Sequence, residues 1–160
     1  GGNASMLARI HEATKLTKKD IYVTYGDTFT KINWTKLYNY YLTNQNKITI
    51  LTAKIQNPFG VVRFNKNNLV ERFEEKPFFC YYIGHFLASR REFEDINTNF
   101  INMNDGKGLI ALFQDLIKKN KLSSYCHDGL QITFNTYTEL DEANQTLSDY
   151  FSIKEGKNEK

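Results

Sequence analysis

A chain of 160 residues, 41% hydrophobic and 24% charged, is long enough for one globular domain with its own core. Its net charge of +3 comes with no basic stripe or arginine-rich run, which argues against nucleic acid as a partner. The most apolar window, Phe78–Ala88, contains Gly84 and His85 and is too short to span a bilayer, and no signal-peptide pattern opens the chain, so no membrane partner is expected. Cys80 and Cys126 fit no Cys-x-x-Cys pattern and read as reduced, buried thiols of a cytoplasmic protein.

In chain order, residues 4–14 favour a short helix with Met6, Leu7 and Ile10 on one face and His11 at the surface. Ile21-Tyr22-Val23-Thr24-Tyr25 is a β-branched and aromatic run, the mark of a buried central strand, and Gly26-Asp27 ends it in a turn. Asn33 caps a helix over about 34–45, where Trp34, Leu37, Tyr38, Tyr41 and Leu42 form an apolar stripe that reads as core. Ile48–Ile55 is a second strand. Residues 59–64 and 69–73 are two more, joined through Asn65-Lys66-Asn67-Asn68 as a hairpin, and Glu74-Glu75-Lys76-Pro77 closes the second.

Tyr81–Ala88 is a further strand, and Ser89 with Glu92 has capping-box spacing for a short helix near 92–96. Residues 97–106 read as an Asn-rich loop. Helix 107–119 follows, with Leu109, Leu112, Phe113, Leu116 and Ile117 facing inward and Asn120 as its stop. Short strands at 122–127 and 130–134 flank Asp128-Gly129. Thr138 and Asp141 predict a last helix to about Phe151, packed through Leu140, Ala143, Leu147, Tyr150 and Phe151, before a polar tail at 154–160. The alternation of strands and helices predicts an α/β fold, a mixed sheet with flanking helices. The hairpin at 59–73 is the expected source of its antiparallel character.

An acid at the carboxyl end of a strand in such a sheet stands where ligands bind, and a carboxylate there can hold Mg²⁺ and, through it, phosphate oxygens. Gly-Asp is equally ordinary turn chemistry. Cys126, His127 and Asp128 form a local cluster without metal-ligand spacing and read as structural.

Four segments then stand in order: Thr24-Tyr25-Gly26-Asp27, Pro58-Phe59-Gly60-Val61-Val62, Phe73-Glu74-Glu75-Lys76-Pro77, and His127-Asp128-Gly129 with Asn135-Thr136. Together they resemble the sugar-nucleotide pyrophosphorylases, and among these glucose-1-phosphate cytidylyltransferase. The resemblance implies a Rossmann-like, GT-A-like nucleotidyltransferase fold lacking its first strands. It implies an enzyme that joins a nucleoside triphosphate, CTP by this branch, to a sugar 1-phosphate and releases pyrophosphate, with Mg²⁺ as cofactor. Asp27 and Asn135 are implied as metal ligands, Asp27 and Lys76 as catalytic groups, and Tyr25, Gly26, Glu75, Lys76 and Gly84 as substrate-binding positions.

The pattern also departs from the family. No counterpart of the family's glycine-rich loop, with its Arg and Lys-Pro, is found, and Gly1 aligns beyond it. Residues 1–153 are therefore expected to be a partial nucleotidyltransferase domain. Asn135 replaces an Asp and brings no charge to a metal. Ile83-Gly84-His85 replaces Asn-Gly-Gly, and Ile83 cannot hydrogen-bond a sugar hydroxyl. Gln131 replaces a Trp. The alternative is a non-catalytic remnant, or a sugar-phosphate-binding or regulatory protein of the same lineage. The absent strands would leave a sheet edge open to pairing, so a homo-oligomer is expected.

Overall fold

The computed structural model describes residues 4–44 and 48–155. Helix α1 (Met6–Thr14) leads to β1 (Ile21–Thr24), β2 (Thr28–Thr30) and helix α2 (Trp34–Thr43). Next come β3 (Ile48–Gln56), the hairpin β4 (Val61–Phe64) and β5 (Val70–Glu74), and the long β6 (Phe78–Ala88). A 3-10 turn (Arg90–Phe93), α3 (Thr98–Ile101), α4 (Lys107–Lys118), β7 (Leu122–Cys126), β8 (Gln131–Thr133) and α5 (Tyr137–Glu155) complete the chain.

The main sheet has the order β1-β6-β3-β7. β6 runs antiparallel to both its neighbours, and β3 and β7 are parallel, so β1, β3 and β7 point the same way. The sheet is mixed, as the sequence predicts, but for a different reason. β4 and β5 pair only with each other, and the antiparallel member of the main sheet is β6. β1 is an edge strand of this sheet and is half-buried rather than central.

Each face of the sheet is covered by helices, and strand alternation sorts the side chains between them. On one face Leu7 and Ile10 of α1, Leu109, Leu112 and Leu116 of α4, and Phe93 pack against Ile48, Phe86 and Ala88. On the other, Leu37 and Tyr41 of α2 pack against Leu51, Ala53, Ile83 and Leu87. The buried Thr49 and Thr52 hydroxyls of β3 find partners on β7, Thr49 with Ser123 at 2.7 Å and Thr52 with the exposed Ser124 at 2.8 Å.

Local chemistry sets the helix ends. The Ser5 hydroxyl accepts from Ala8 N–H at the start of α1, and the Asn33 side chain accepts from Lys36 N–H at the start of α2. The expected end of α2 at residue 45 lies outside the described residues. Asn120 stops α4 in the left-handed region, at φ 54°. The last helix is capped by Thr136 and Glu139, not by Thr138 and Asp141. The Thr136 hydroxyl accepts from Glu139 N–H, and the Glu139 carboxylate is long enough to reach back to two free N–H groups.

Other expectations are corrected by packing. In the α2 stripe only Leu37 and Tyr41 are buried, whereas Trp34, Tyr38 and Leu42 are about half exposed, because a single sheet covers a narrower arc than the stripe spans. Ile117 is exposed for the same reason. Residues 97–106 contain the one-turn helix α3, started by an Asn97 side chain that accepts from Asn99 N–H. Ser89 makes no capping bond, and the turn after it is 3-10. His11 is half-buried beside Glu12. Cys80 and Cys126 are free but exposed, since they lie where β6 and β7 pass beyond the helix-covered part of the sheet. Lys154 and Glu155 belong to α5 rather than to a tail, and residues 156–160 lie outside the described residues. Among the described residues no helix is long and apolar enough to cross a membrane.

The two halves of the α2 stripe should separate in a stability measurement. Leu37→Ala, at a fully buried position, is expected to cost about 2–5 kcal/mol in urea denaturation. Leu42→Ala, on the same stripe, should change stability by less than about 0.5 kcal/mol. Equal losses would show that the exposed half is covered in solution.

Candidate functional site

The site is built where β1 stops. Tyr25 N–H donates to the Gly84 carbonyl at 3.1 Å, one rung beyond the β1–β6 ladder. The chain then turns through Gly26-Asp27 and enters β2, a strand that the sequence reading missed because three residues carry too little periodicity. β2 pairs antiparallel with β8, Thr28 opposite Thr133 and Thr30 opposite Gln131. Phe134 N–H donates to the Asp27 carbonyl at 2.9 Å. Asp27 and Asn135 thus come to one end of this small sheet although 107 positions separate them in sequence.

The Asp27 side chain and the Asn135 backbone are both held in place. An Asp27 carboxylate oxygen accepts from the Thr28 hydroxyl at 3.3 Å, and that hydroxyl lies 3.3 Å from the Thr133 hydroxyl. The backbone N–H groups of Asn135 and Thr136 both donate to the Glu139 carboxylate, at 2.5 and 3.1 Å. These bonds, led by the one from Asn135, hold the Glu139 carboxyl below its usual range.

Gly84 sits opposite this turn with φ +79°. A Cβ there would lie 2.8 Å from the Tyr25 ring, so the ring closes over the glycine. Tyr25 in turn meets Tyr82 edge-on, with ring centroids 5.9 Å apart. Tyr25, Asp27, Gly84 and Asn135 line one cleft of about 630 Å³, together with Thr28, Ile55, Tyr81, Tyr82, Ile83, Gln131 and Thr133. The Tyr81 hydroxyl reaches the Gln131 side-chain oxygen at 3.1 Å and links the two walls. Among the described residues Asp27 is the one charged side chain in this lining, and no Lys or Arg joins it.

Of the positions singled out in the sequence, Tyr25, Asp27, Gly84 and Asn135 are brought together. Gly26 lies in the adjoining turn, exposed and outside the lining. Glu75 and Lys76 are also exposed and outside it, at the foot of the hairpin. Lys76 takes a left-handed backbone, φ 44°, and its carbonyl accepts from the Gln56 side chain. The Glu75 carboxylate packs near Gly60. His127 is buried, with its ring over Gly129 and its Nε2 3.2 Å from the Leu130 carbonyl.

His85, behind the cleft, was read only as part of an apolar strand. It is 2% exposed, with Nε2 2.8 Å from the Thr30 hydroxyl and its ring stacked on Tyr22 at 5.8 Å. Its Nδ1 makes no hydrogen bond among the described residues. Burial is the main cause holding its pKa below the ordinary histidine value. The neighbouring His127 adds to this, and Asp27 opposes it. The only sequence signal was a histidine following a glycine inside an apolar run.

As a metal site, the cleft offers the Asp27 carboxylate and two side-chain amide oxygens, that of Asn135 and that of Gln131, the latter engaged by Tyr81. Among the described residues no group of three or more His, Cys, Asp or Glu could form a closed cage. A sparse set of oxygen donors fits Mg²⁺, which keeps several waters and completes its shell with substrate phosphates.

Comparison with known proteins now has a site to refer to. Residues 1–82 of the 160, just over half of the chain, match the nucleotidyl transferase family. The chain belongs to that family. The matched part of this nucleotidyl transferase holds Tyr25, Gly26, Asp27, Glu75 and Lys76, while Gly84 and Asn135 lie beyond it. The chain is similar to a glucose-1-phosphate adenylyltransferase of Mycoplasma mobile, 27% identical over 135 residues, covering 76% of this chain and 35% of that protein. Two solved structures share its fold. A putative glucose-1-phosphate thymidylyltransferase from Bacillus anthracis, in complex with a sucrose, superposes with a TM-score of 0.61 at 16% identity. It is matched over 89% of this chain and 61% of that one. HddC from Yersinia pseudotuberculosis gives a TM-score of 0.61 at 15% identity, over 90% and 63%. The chain spans about a third of the curated relative and less than two thirds of these structures.

Two measurements test this geometry. Gly84→Ala must place a side chain at positive φ and into the Tyr25 ring, and is expected to cost about 1–3 kcal/mol in urea denaturation. An unchanged midpoint would mean that the ring does not close over the glycine. For His85, a folded-state pKa below the unfolded value of about 6.5 means that the unfolded chain binds the extra proton first. Stability should be full above that value and fall as pH drops through it. His85→Gln should flatten the urea midpoint between about pH 7 and pH 5. A slope identical in both proteins would remove His85 as its source.

Proposed function

We propose that this nucleotidyl transferase chain carries part of an enzyme that joins a nucleoside triphosphate to a sugar 1-phosphate. The sugar-phosphate oxygen attacks the α-phosphorus, and pyrophosphate leaves. The observation that carries the reading is the meeting of Asp27 and Asn135 on one cleft wall, within a chain whose family and relatives are named for this chemistry.

In this reading Asp27 and Asn135 hold Mg²⁺, which when bound supplies positive charge to the reacting phosphates. Thr28 orients the Asp27 carboxylate, and the Glu139 capping bonds fix the backbone at Asn135. Tyr25, folded over Gly84, and Tyr82 shape the floor against which a sugar ring can lie. Ile83 makes the sugar pocket poorer in hydrogen bonds than a family pocket with Asn there. Glu75 and Lys76 contact the sugar phosphate from the hairpin side, and Gly26 leaves the turn open. CTP is the proposed nucleotide, on the order and spacing of the four sequence motifs. The reaction is placed in the cytoplasm, where the exposed Cys80 and Cys126 stay reduced. Self-association through the open edge of β1 belongs to the same proposal.

One observation favours a second reading, a non-catalytic sugar-phosphate-binding or regulatory protein. Among the described residues the cleft lining has no Lys or Arg, and Asn135 brings no charge to a metal.

The test is pyrophosphate release from glucose 1-phosphate with each of CTP, ATP, dTTP and GTP in the presence of Mg²⁺. Asp27→Ala is expected to lower kcat by about 10²–10³. Asn135→Asp should lower the Mg²⁺ concentration needed for half activation, because a second carboxylate strengthens the site. Turnover that survives Asp27→Ala would sink the metal assignment. Preference for ATP or dTTP would replace CTP and leave the reaction class intact. No release with any triphosphate, with sugar phosphate still bound, would establish the second reading.

A further inference from the structure

At the opposite end of β1 and β6 from Asp27, Ile21 pairs with Ala88. The antiparallel ladder therefore brings the segment entering β1 against the segment leaving β6. Lys18, Lys19, Asp20, Ser89, Arg90 and Arg91 enclose a cavity of about 440 Å³ there. Four cations and one carboxylate crowd this space in a chain whose whole net charge is +3.

Carboxylates nearby answer only part of this charge. Asp20 lies near the Tyr41 hydroxyl and adds to the burial that raises the tyrosine's pKa. Glu94 pairs with Arg90 at 2.8 Å, and Arg90 also donates from Nε to the Thr14 carbonyl at 3.2 Å. The side chains of Lys18, Lys19 and Arg91, all exposed, have no hydrogen-bond or ion-pair partner among the described residues, and neither has the Ser89 hydroxyl. Like charges gathered at one place repel, and Asp20 and the Glu94 pairing with Arg90 offset only part of four cations. An anion in the cavity would offset the rest. The two lysines offer compact charges and Arg91 a fork that fits two phosphate oxygens.

We propose that this cavity is a second binding site, for a small polyphosphorylated anion. The volume suits a small ligand rather than a macromolecular surface. The four extended residues of β1, on the order of 13 Å, and the turn that follows separate Asp20 from Asp27, so the site is distinct from the cleft and does not rest on the reaction proposed for it.

The probe is inorganic tripolyphosphate, titrated calorimetrically into the 160-residue chain at about 0.1 M salt with EDTA, so that no metal joins the two sites. The expected result is one-to-one binding that Lys18→Ala/Lys19→Ala/Arg91→Ala weakens at least about tenfold. Asp27→Ala should leave it unchanged, as should Lys36→Ala/Lys66→Ala/Lys107→Ala, which removes the same charge from exposed positions elsewhere. Should the first triple variant lose its native circular dichroism, Arg91→Met, a single exposed change, is expected to weaken binding about threefold or more. Three results would overturn the site: no binding by the unaltered chain, equal loss in both triple variants, or loss in Asp27→Ala.

Discussion

From Phe86 to Ala88, β6 is hydrogen-bonded on both edges, to β1 and to β3, and buried on both faces. The rest of the structure is arranged around the point where that double burial ends. At Gly84 the backbone leaves the extended region, and opposite it the β3 pairing slips between Ile50 and Thr52. Below this point, Phe78, Phe79 and Tyr81 are exposed, and the β3–β6 ribbon continues past the helices. The cleft lies at this change, where a ladder stops being core and becomes wall. Gly84 joins the two regimes, because its missing side chain makes room for Tyr25 and so for the turn that carries Asp27.

Much of this was legible in the sequence, and the limits have physical causes. Elements with strong periodicity or clear caps were readable: α1, α2, α4, β3 and the hairpin around Asn65–Asn68. Asp27 was singled out because Gly-Asp after an apolar run is a local signal. Its approach to Asn135 is not local. That pairing rests on β2–β8, two three-residue strands, and on Phe134 bonding to the Asp27 carbonyl. The thiols show the opposite failure. Cys80 sits in an apolar run and Cys126 on a predicted strand, yet both are exposed, and exposure along a strand depends on what lies above it. His85 was obscured for a third reason. A histidine in an apolar run carries no mark of its ring stacking or of its neighbours from other elements.

The electrostatics of the cleft bear on any phosphate chemistry placed there. A phosphoryl group needs cationic or metal partners where charge develops, and hydrogen-bond donors alone do less. Among the described residues the cleft lining provides Asp27 and no cation, while Lys76 stands outside it at the hairpin. For this chain, then, positive charge at the reacting phosphates must come from a metal on Asp27, from a group brought in by the hairpin, or from protein beyond these residues. Asn135 sharpens the point, since an amide oxygen ligates a metal without neutralising it. The chain places its crowded cations at the other end of β1 and β6, far from Asp27.

The hairpin that carries Glu75 and Lys76 is held in an unusual way. Opposite residues on an antiparallel pair share a face. Val62 with Phe73 and Phe64 with Val70 therefore make one face apolar, and Arg63 opposite Arg72 makes the other basic. All four apolar side chains are between 44% and 64% exposed. Two strands alone are marginal in water, and like charges directly opposite weaken them further. What holds the register is the turn, while the one ion pair runs along β5 and does not cross the hairpin. The Asn65 side chain accepts from Asn67 and Leu69 N–H, Asn68 takes the left-handed region, and Arg72 pairs with Glu74. Fully burying each apolar side chain would contribute about 1.5–3 kcal/mol, and the described residues use little of it. The turn thus fixes which residues of the hairpin face which, while burial does not yet fix where the hairpin rests. At its foot the hairpin is tied down by the Gln56 side chain donating to the Lys76 carbonyl and by Asn57 N–H donating to the Pro77 carbonyl, so the Lys76 backbone is anchored while its side chain is exposed.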